Sequence, residues 1–282
     1  MEKADKITLV ERELPITRGV VVDDPTRKYL SIKQFLPSQP DLVPWLEHVW
    51  MVAWDMPGGQ QHMQRTVPFP LFNLVVDQRR GSALFGCTRS YFEYPLQGSG
   101  WVVGFRFKSA FQGAFHDGPA VELTDGFAPA TSFLAPDILQ PLEGVNWRLP
   151  TREDIAASLR NLCDVAKTVS DVARRVNQMT AFIEAHGDLF RVADLATEFS
   201  LTERTLQRQF EAHLGMTPKA VIERFRIHNA LANCASGEET FSDLALQLGY
   251  FDQSHFINAF KRIVGCSPAD YAKRLRETDS EG

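Results

Sequence analysis

Two stretches decide how this chain reads. They are Thr202-Glu-Arg-Thr-Leu206-Gln-Arg-Gln-Phe210-Glu-Ala-His-Leu-Gly215-Met-Thr-Pro218 and Asp252-Gln-Ser-His-Phe256-Ile-Asn-Ala-Phe260-Lys-Arg-Ile-Val-Gly265-Cys-Ser-Pro268. They repeat each other at an offset of fifty residues. Phe210-x4-Gly215-x2-Pro218 recurs as Phe260-x4-Gly265-x2-Pro268, Leu206 matches Phe256, and Thr202 matches Asp252. Upstream, Leu195-Ala196 matches Leu244-Ala245 with one residue absorbed in the turn. Two copies are too few for a solenoid. Each copy instead reads as a short helix, a tight turn and a second helix. Val192, Leu195, Ala196 and Phe199 form the apolar stripe of the first leading helix, Ser200-Leu201 turns the chain, and Thr202 has N-cap chemistry. In the second copy the stripe is Phe241, Leu244, Ala245 and Leu248, the turn is Gly249-Tyr250-Phe251, and Asp252 is the N-cap. The small Ala196 and Ala245 let two helices approach closely, and Gly249 suits a strained turn.

The second helix of each copy separates by face. Leu206 and Phe210, like Phe256 and Phe260, are spaced i,i+4 and point inward. The outward side carries Arg204, Gln207 and Arg208 in the first copy. In the second it carries Gln253, Ser254, His255 and Asn258, followed by Lys261 and Arg262. Arg pairs bidentately with guanine, and Gln or Asn with adenine, in the major groove of double-stranded DNA. A polar face of this kind also suits a merely solvated helix. Two such faces, each behind a capped turn, are what a pair of helix-turn-helix units presents to DNA.

These residues resemble the AraC/XylS family of transcriptional regulators over about residues 175–276. The resemblance rests on Leu195-Ala196, Leu206-Gln-Arg-Gln-Phe210, Gly215-Met-Thr-Pro218, Arg226-Ile227-x2-Ala230 and Leu248-Gly249-Tyr250. Its densest part is the run from Asp252 to Arg262, then Gly265-Cys-Ser-Pro268-Ala-Asp-Tyr271. The resemblance implies seven helices, with two helix-turn-helix units held by a central helix over about Pro218–Asn233. It also implies that Arg204, Gln207, Arg208, Gln253, Ser254, His255 and Asn258 read bases, and that Lys261 and Arg262 contact the backbone. A transcription factor of this type also implies RNA polymerase as a partner. Asn258 departs from the Arg or Lys that the family often has late in the second reading helix.

Outward from this core the texture changes. Residues 29–115 hold 16 of the chain's 30 aromatic residues, punctuated by turns such as Pro57-Gly58-Gly59. Between turns lie short β-prone runs: Val49–Trp54, Phe72–Val76, Ala83–Cys87, Tyr91–Tyr94 and Trp101–Phe107. Phe105 and Phe107 alternate onto one strand face, leaving Arg106 on the other. Residues 109–116 and 151–186 read as helical. Thr151-Arg152-Glu153-Asp154 has the spacing of a capping box, and Val172, Val176, Met179, Phe182 and Ile183 recur at helical spacing, with His186-Gly187 as a stop. The expected class is α+β: an N-terminal β-rich, barrel- or sandwich-like domain with flanking helices over 1–165, then an all-α DNA-binding domain over 166–282. A helix over about 166–186 links them.

Composition bounds the rest. The 282 residues are 44% hydrophobic and 23% charged, with a net charge of −5, ordinary for a globular protein of about two domains. From Arg174 to Arg276 there are 13 Lys/Arg against 12 Asp/Glu. Charge therefore neither announces nor excludes nucleic acid. No apolar run approaches a membrane span, and the charged N-terminus (Glu2, Lys3, Asp5, Lys6) lacks a signal-peptide core. Four dispersed cysteines, Cys87, Cys163, Cys234 and Cys266, suit a reducing cytoplasm rather than a disulfide framework.

The β-rich part resembles an uncharacterised domain found before AraC-type units, through Leu42-Val43-Pro44, Trp50–Trp54, Phe72-Asn73-Leu74 and Gly104-Phe105-Arg106-Phe107. Trp50, Phe72, Tyr91, Trp101 and Phe105 are candidates for an apolar effector pocket, although simple core packing explains most of the aromatic set. Three functions stay open: a sensor of a small effector, a domain that only makes a homodimer, or an enzyme-like or metal-sensing β domain. His48, His62 and His116 stand singly without a His-x-His pair, and no nucleophile elbow or phosphate loop occurs. The expectation is a non-enzymatic regulator with no cofactor or metal. Cys87 is either a sensing thiol or core material.

Overall fold

The computed structural model describes residues 7–12, 29–39, 41, 43–67, 69–187, 191–236 and 240–280. Leu42 and the charged positions 1–6 lie outside them. The N-terminal part is built on an antiparallel sheet of seven strands in the order β1-β2-β3-β8-β5-β6-β9. The strands are β1 Leu9–Arg12, β2 Leu30–Pro37, β3 Leu46–Asp55, β5 Asn73–Asp77, β6 Gly81–Phe85, β8 Ser99–Phe107 and β9 Phe127–Pro129. Strands β4 (Gln61–Thr66) and β7 (Phe92–Gln97) pair separately as a two-stranded ribbon. The sheet stays open and does not close into a barrel.

Every run read as a strand overlaps one, with Phe72, Gly86, Cys87 and Tyr91 falling just outside, and alternation sets the faces. Along β8, Val103, Phe105 and Phe107 are fully buried and face the main core, while Arg106 faces the other way, its guanidinium carbon 5.5 Å from the Phe69 ring centroid. The register Trp50↔Gly104 and Val52↔Val102 puts Trp50 and Val52 on that second face too. Gly104 is needed there because a Cβ would collide with the Trp50 indole.

The helices differ from the expectation in two places. Residues 109–116 hold only a 3-10 turn over Phe111–Ala114. The stretch 151–186 is two helices, α2 Arg152–Val165 and α3 Asp171–Ala185, preceded by α1 Pro136–Gly144. The linking helix therefore begins at 171, not 166. The chain between is extended because Lys167 N–H bonds to Ala114 O at 2.7 Å, Val169 is buried, and the Ser170 side chain caps α3 by accepting from Ala173 N–H. Val172, expected in the buried stripe, is exposed; Ala173, Val176, Met179, Thr180 and Ile183 form it.

Beyond α3 follow α4 Val192–Glu198, α5 Glu203–Leu214, α6 Pro218–Ser236, α7 Phe241–Gln247, α8 Gln253–Val264 and α9 Pro268–Ser280. From α3 onward the described residues form the seven helices that the resemblance implies. No helix among the described residues is long and apolar enough to cross a membrane. All four cysteines are free thiols, and burial pushes Cys87 and Cys234 up to about 12, so neither is poised as a thiolate.

Candidate nucleic-acid interface

The two helix-turn-helix units match bond for bond. In the first turn Phe199 N–H bonds to Leu195 O, Ser200 N–H to Thr197 O and Leu201 N–H to Ala196 O, at 3.2, 3.1 and 2.9 Å. In the second, Leu248 bonds to Leu244, Gly249 to Leu246 and Tyr250 to Ala245, at 3.0, 2.9 and 2.9 Å. Ser200 and Gly249 occupy the same left-handed position, with φ of 52° and 68°. The following helices start alike. Thr202 Oγ1 accepts from Thr205 N–H at 3.2 Å, and Asp252 Oδ1 from His255 N–H at 2.7 Å. Both end on a left-handed glycine, Gly215 and Gly265. Leu206, Phe210, Phe256 and Phe260 are fully buried, so each helix is pinned by its i,i+4 pair.

Pinning the inner face fixes what the outer face presents. Arg204, Gln207 and Arg208 on α5, and Gln253, Ser254, His255, Asn258, Lys261 and Arg262 on α8, are all exposed. Gln207 Nε2 donates to Glu211 Oε1 at 3.1 Å, one turn along α5. Arg204 and Arg208 make no hydrogen bond or ion pair with the described residues, and with Thr205, Gln207 and Glu211 they border an open groove of about 400 Å³. The His255 ring stands edge-on to Tyr250 at 5.2 Å. Arg262, expected as a backbone contact, is held to Glu223 of α6 by an ion pair of 2.7 Å. Phe251, which nothing above singles out, is 89% exposed immediately before the Asp252 cap. Its signal was an aromatic in the turn, out of phase with the apolar stripe.

Burial tunes the residues behind this surface. Arg226 of α6 lies over the Tyr250 ring at 4.0 Å, tying the central helix to the second turn. Burial raises the Tyr250 phenol to about 12, so it stays neutral. Arg224, also on α6, is buried, and its Nη2 donates to Thr88 O of the N-terminal domain at 2.7 Å. Burial brings its guanidinium down to about 10, still well above neutral pH.

Of the five candidate pocket residues, three share the main core and two lie elsewhere. Phe72 and Phe105 are fully buried in the main core, Phe105 edge-on to Trp147 at 5.8 Å. Trp101 packs half-buried against the same core. Trp50 is on the opposite sheet face, its Nε1 donating to Asn73 Oδ1 at 2.9 Å. Tyr91 packs against the second helix-turn-helix unit. Open volume is found instead at the seam between the domains. A cleft of about 530 Å³ is bordered by Arg89 and Val121 from the N-terminal side and by Glu211, Met216, Arg224 and Arg262 from the helices. Among the described residues, no three His, Cys, Asp or Glu side chains stand close enough to hold a metal ion.

Comparison with known proteins agrees with this geometry. A family described as "Helix-turn-helix domain" matches residues 195–274, and "Domain of unknown function (DUF6597)" matches residues 33–129. The HTH-type transcriptional activator RhaS of Klebsiella pneumoniae (strain 342) is 32% identical over 107 residues, 38% of this chain and 38% of the relative. RhaS of Escherichia coli (strain SE11) is 32% identical over 105 residues, 37% of this chain and 38% of the relative. The match thus spans about two fifths of the length of these relatives. Among solved structures, ToxT from Vibrio cholerae aligns at 13% identity over 80% of this chain and 98% of its own, with a TM-score of 0.42. The C-terminal domain of AraT from Geobacillus stearothermophilus aligns at 25% identity over 38% and 88%, with a TM-score of 0.33. Residues 195–274 are a helix-turn-helix domain of the kind the RhaS activators carry, and residues 33–129 match a domain with no assigned function.

Proposed function

We propose that this protein is a sequence-specific, DNA-binding transcriptional regulator that reads adjacent major-groove segments with α5 and α8. The observation that carries the reading is the pair of equivalently capped helices whose inner faces are locked and whose outer faces are exposed and polar. Arg204, Gln207 and Arg208 are assigned as base readers of the first subsite. Gln253, Ser254, His255 and Asn258 are assigned to the second, with Lys261 and Arg262 on phosphates. Gel-shift titration on a duplex enriched from a random pool tests it. Arg204→Ala or Arg208→Ala is expected to lose about 1–3 kcal/mol and relax base preference at one subsite. Lys261→Ala is expected to weaken all sequences alike. Unchanged binding in all three variants removes the assignment.

The N-terminal domain is proposed to control this binding in response to a small effector, within a homodimer that engages RNA polymerase. Both reading faces are exposed with the N-terminal domain docked, which favours control of spacing over masking. An effector acts only by binding two states with different affinity, and a cleft at a domain seam is a place where that difference arises. The domain boundary is placed in the extended segment 166–170. Thermal-shift screening of metabolites against the full chain, with sedimentation for oligomeric state, separates sensing from dimerisation alone. Turnover of a bound metabolite supports the enzyme alternative instead.

A further inference from the structure

The two helix-turn-helix units are anchored differently. One contiguous core runs from Phe72 and Phe105 of the sheet, through Ala120 and Leu123, to Leu206, Phe210 and Leu214 of the first unit. It also takes Val176 and Met179 of α3 and Val221, Ile222 and Phe225 of α6. The second unit has its own core of Leu244, Phe256, Phe260 and Tyr271 around the later part of α6, and from the N-terminal domain this core meets Val67 and Tyr91. The first unit is therefore continuous with the N-terminal domain, whereas the second is held to it by α6 and a small contact.

That contact sits at the end of the reading helix. The Tyr91 ring lies against Gly265, where an added Cβ would stand 2.5 Å from Tyr91 Cε1. The ring is itself held, with the Arg65 guanidinium 4.5 Å from its centroid and Arg65 paired to Glu93 at 2.7 Å. The equivalent glycine of the first unit is seated in the same way. Thr124 Oγ1 donates to Gly215 O at 3.1 Å, and Ala120 O lies 2.9 Å from where a Cβ would be. The N-terminal domain thus touches both reading helices at the same point, the left-handed glycine that ends each.

We propose that Tyr91 is a positioning residue for DNA reading: its seat on Gly265 fixes α8 relative to α5 and so sets the separation of subsites that the protein accepts. The proposal rests on the DNA-binding reading above. Each base pair inserted between subsites moves the second by about 3.4 Å and turns it by about 35° around the duplex. A fixed α8 cannot follow that displacement, whereas one hung only from α6 can.

The test uses the full chain and the duplex that the wild type enriches from a random pool, together with derivatives carrying one base pair more or fewer between the two protected segments. Wild type is expected to lose about tenfold in affinity on either derivative, on the scale of a mismatched base pair. Tyr91→Ala is expected to lose threefold or less, and Tyr91→Phe, which keeps the ring, to behave as wild type. Because the two cores are separate, Tyr91→Ala is expected to fold. Arg65→Gln, which removes the cation over the ring and leaves both cores intact, is a second and milder probe expected to shift the spacing profile the same way. A spacing penalty in Tyr91→Ala and Arg65→Gln equal to that of wild type overturns the positioning role. Failure of the wild type to enrich any duplex overturns the DNA-binding reading, and the positioning role with it.

Discussion

Ser200 and Gly249 occupy one structural position with different chemistry. Both have positive φ, 52° and 68°, at the turn of their units. A residue with a Cβ held in the left-handed region costs about 1–2 kcal/mol. The extra freedom that glycine has when unfolded offsets about 0.5–1 kcal/mol of what glycine would relieve. Ser200→Gly is therefore expected to be neutral or to stabilise by up to about 1 kcal/mol, and Gly249→Ala to destabilise by about 1 kcal/mol or more. Urea unfolding of the two variants checks this, and equal losses in both contradict it. The contrast also marks how far single residues were legible. Glycine at 249 announces its conformation, whereas serine at 200 is identified only through its alignment with Gly249. Arg262 was legible as an exposed cation, but not as the partner of Glu223, because that acid comes from α6, thirty-nine residues away.

At the scale of elements, helix starts were the most legible feature because capping is local chemistry. The Thr151 box forms as read. Thr151 Oγ1 accepts from Asp154 N–H at 3.1 Å, and the Asp154 carboxylate accepts from Thr151 N–H at 2.8 Å. The Thr151 N–H and the Thr151 hydroxyl, which donates to Asp154 Oδ2 at 2.7 Å, hold the Asp154 carboxyl below its ordinary value of 3.8. A carboxyl depressed in the folded state contributes stability that is complete above its unfolded value and lost as pH falls through the folded one. Thr151→Ala is thus expected to cost about 1 kcal/mol at neutral pH. Its difference from wild type should narrow below about pH 4, as the Asp154 half of the box protonates. Urea unfolding at the two pH values measures this; a constant difference contradicts the linkage. Strands were legible where aromatic or β-branched residues are dense, as on the largely exposed β7 as well as on the buried β3 and β8. Strand β4, Gln-His-Met-Gln-Arg-Thr, carries no apolar alternation and exists because it pairs with β7. The break at 166–170 likewise depends on a bond to Ala114, fifty-odd residues earlier. The candidate pocket set divides for a related reason. Composition shows that aromatics are plentiful, but only the register Trp50↔Gly104 shows that Trp50 and Phe105 lie on opposite sheet faces.

For the whole molecule, the division into two cores does not follow the division into a β part and an α part. Helix α3 contributes Ala173, Val176, Met179 and Ile183 to the same core as the sheet. It therefore packs as part of the core that joins the N-terminal domain to the first unit. The two cores meet further on, within α6, which gives Val221, Ile222 and Phe225 to one and Ile227, Ala230 and Leu231 to the other. The N-terminal domain meets the helical domain through the contacts around Thr88, Tyr91 and Thr124, which border the seam. Regions that open independently do so at lower free energy than the global transition. The second core is smaller and joins the rest over a limited area, so α7 and α8 are expected to exchange their amide hydrogens through openings at least about 1 kcal/mol easier than those of α5. Native-state hydrogen exchange on the full chain reads the two units separately, since their equivalent helices have equivalent caps and lengths. Tyr91→Ala should lower protection in α8 and leave α5 unchanged. Equal protection of α5 and α8 in the wild type would show that both units unfold together, and that the seam contacts, rather than the cores, set the cooperative unit.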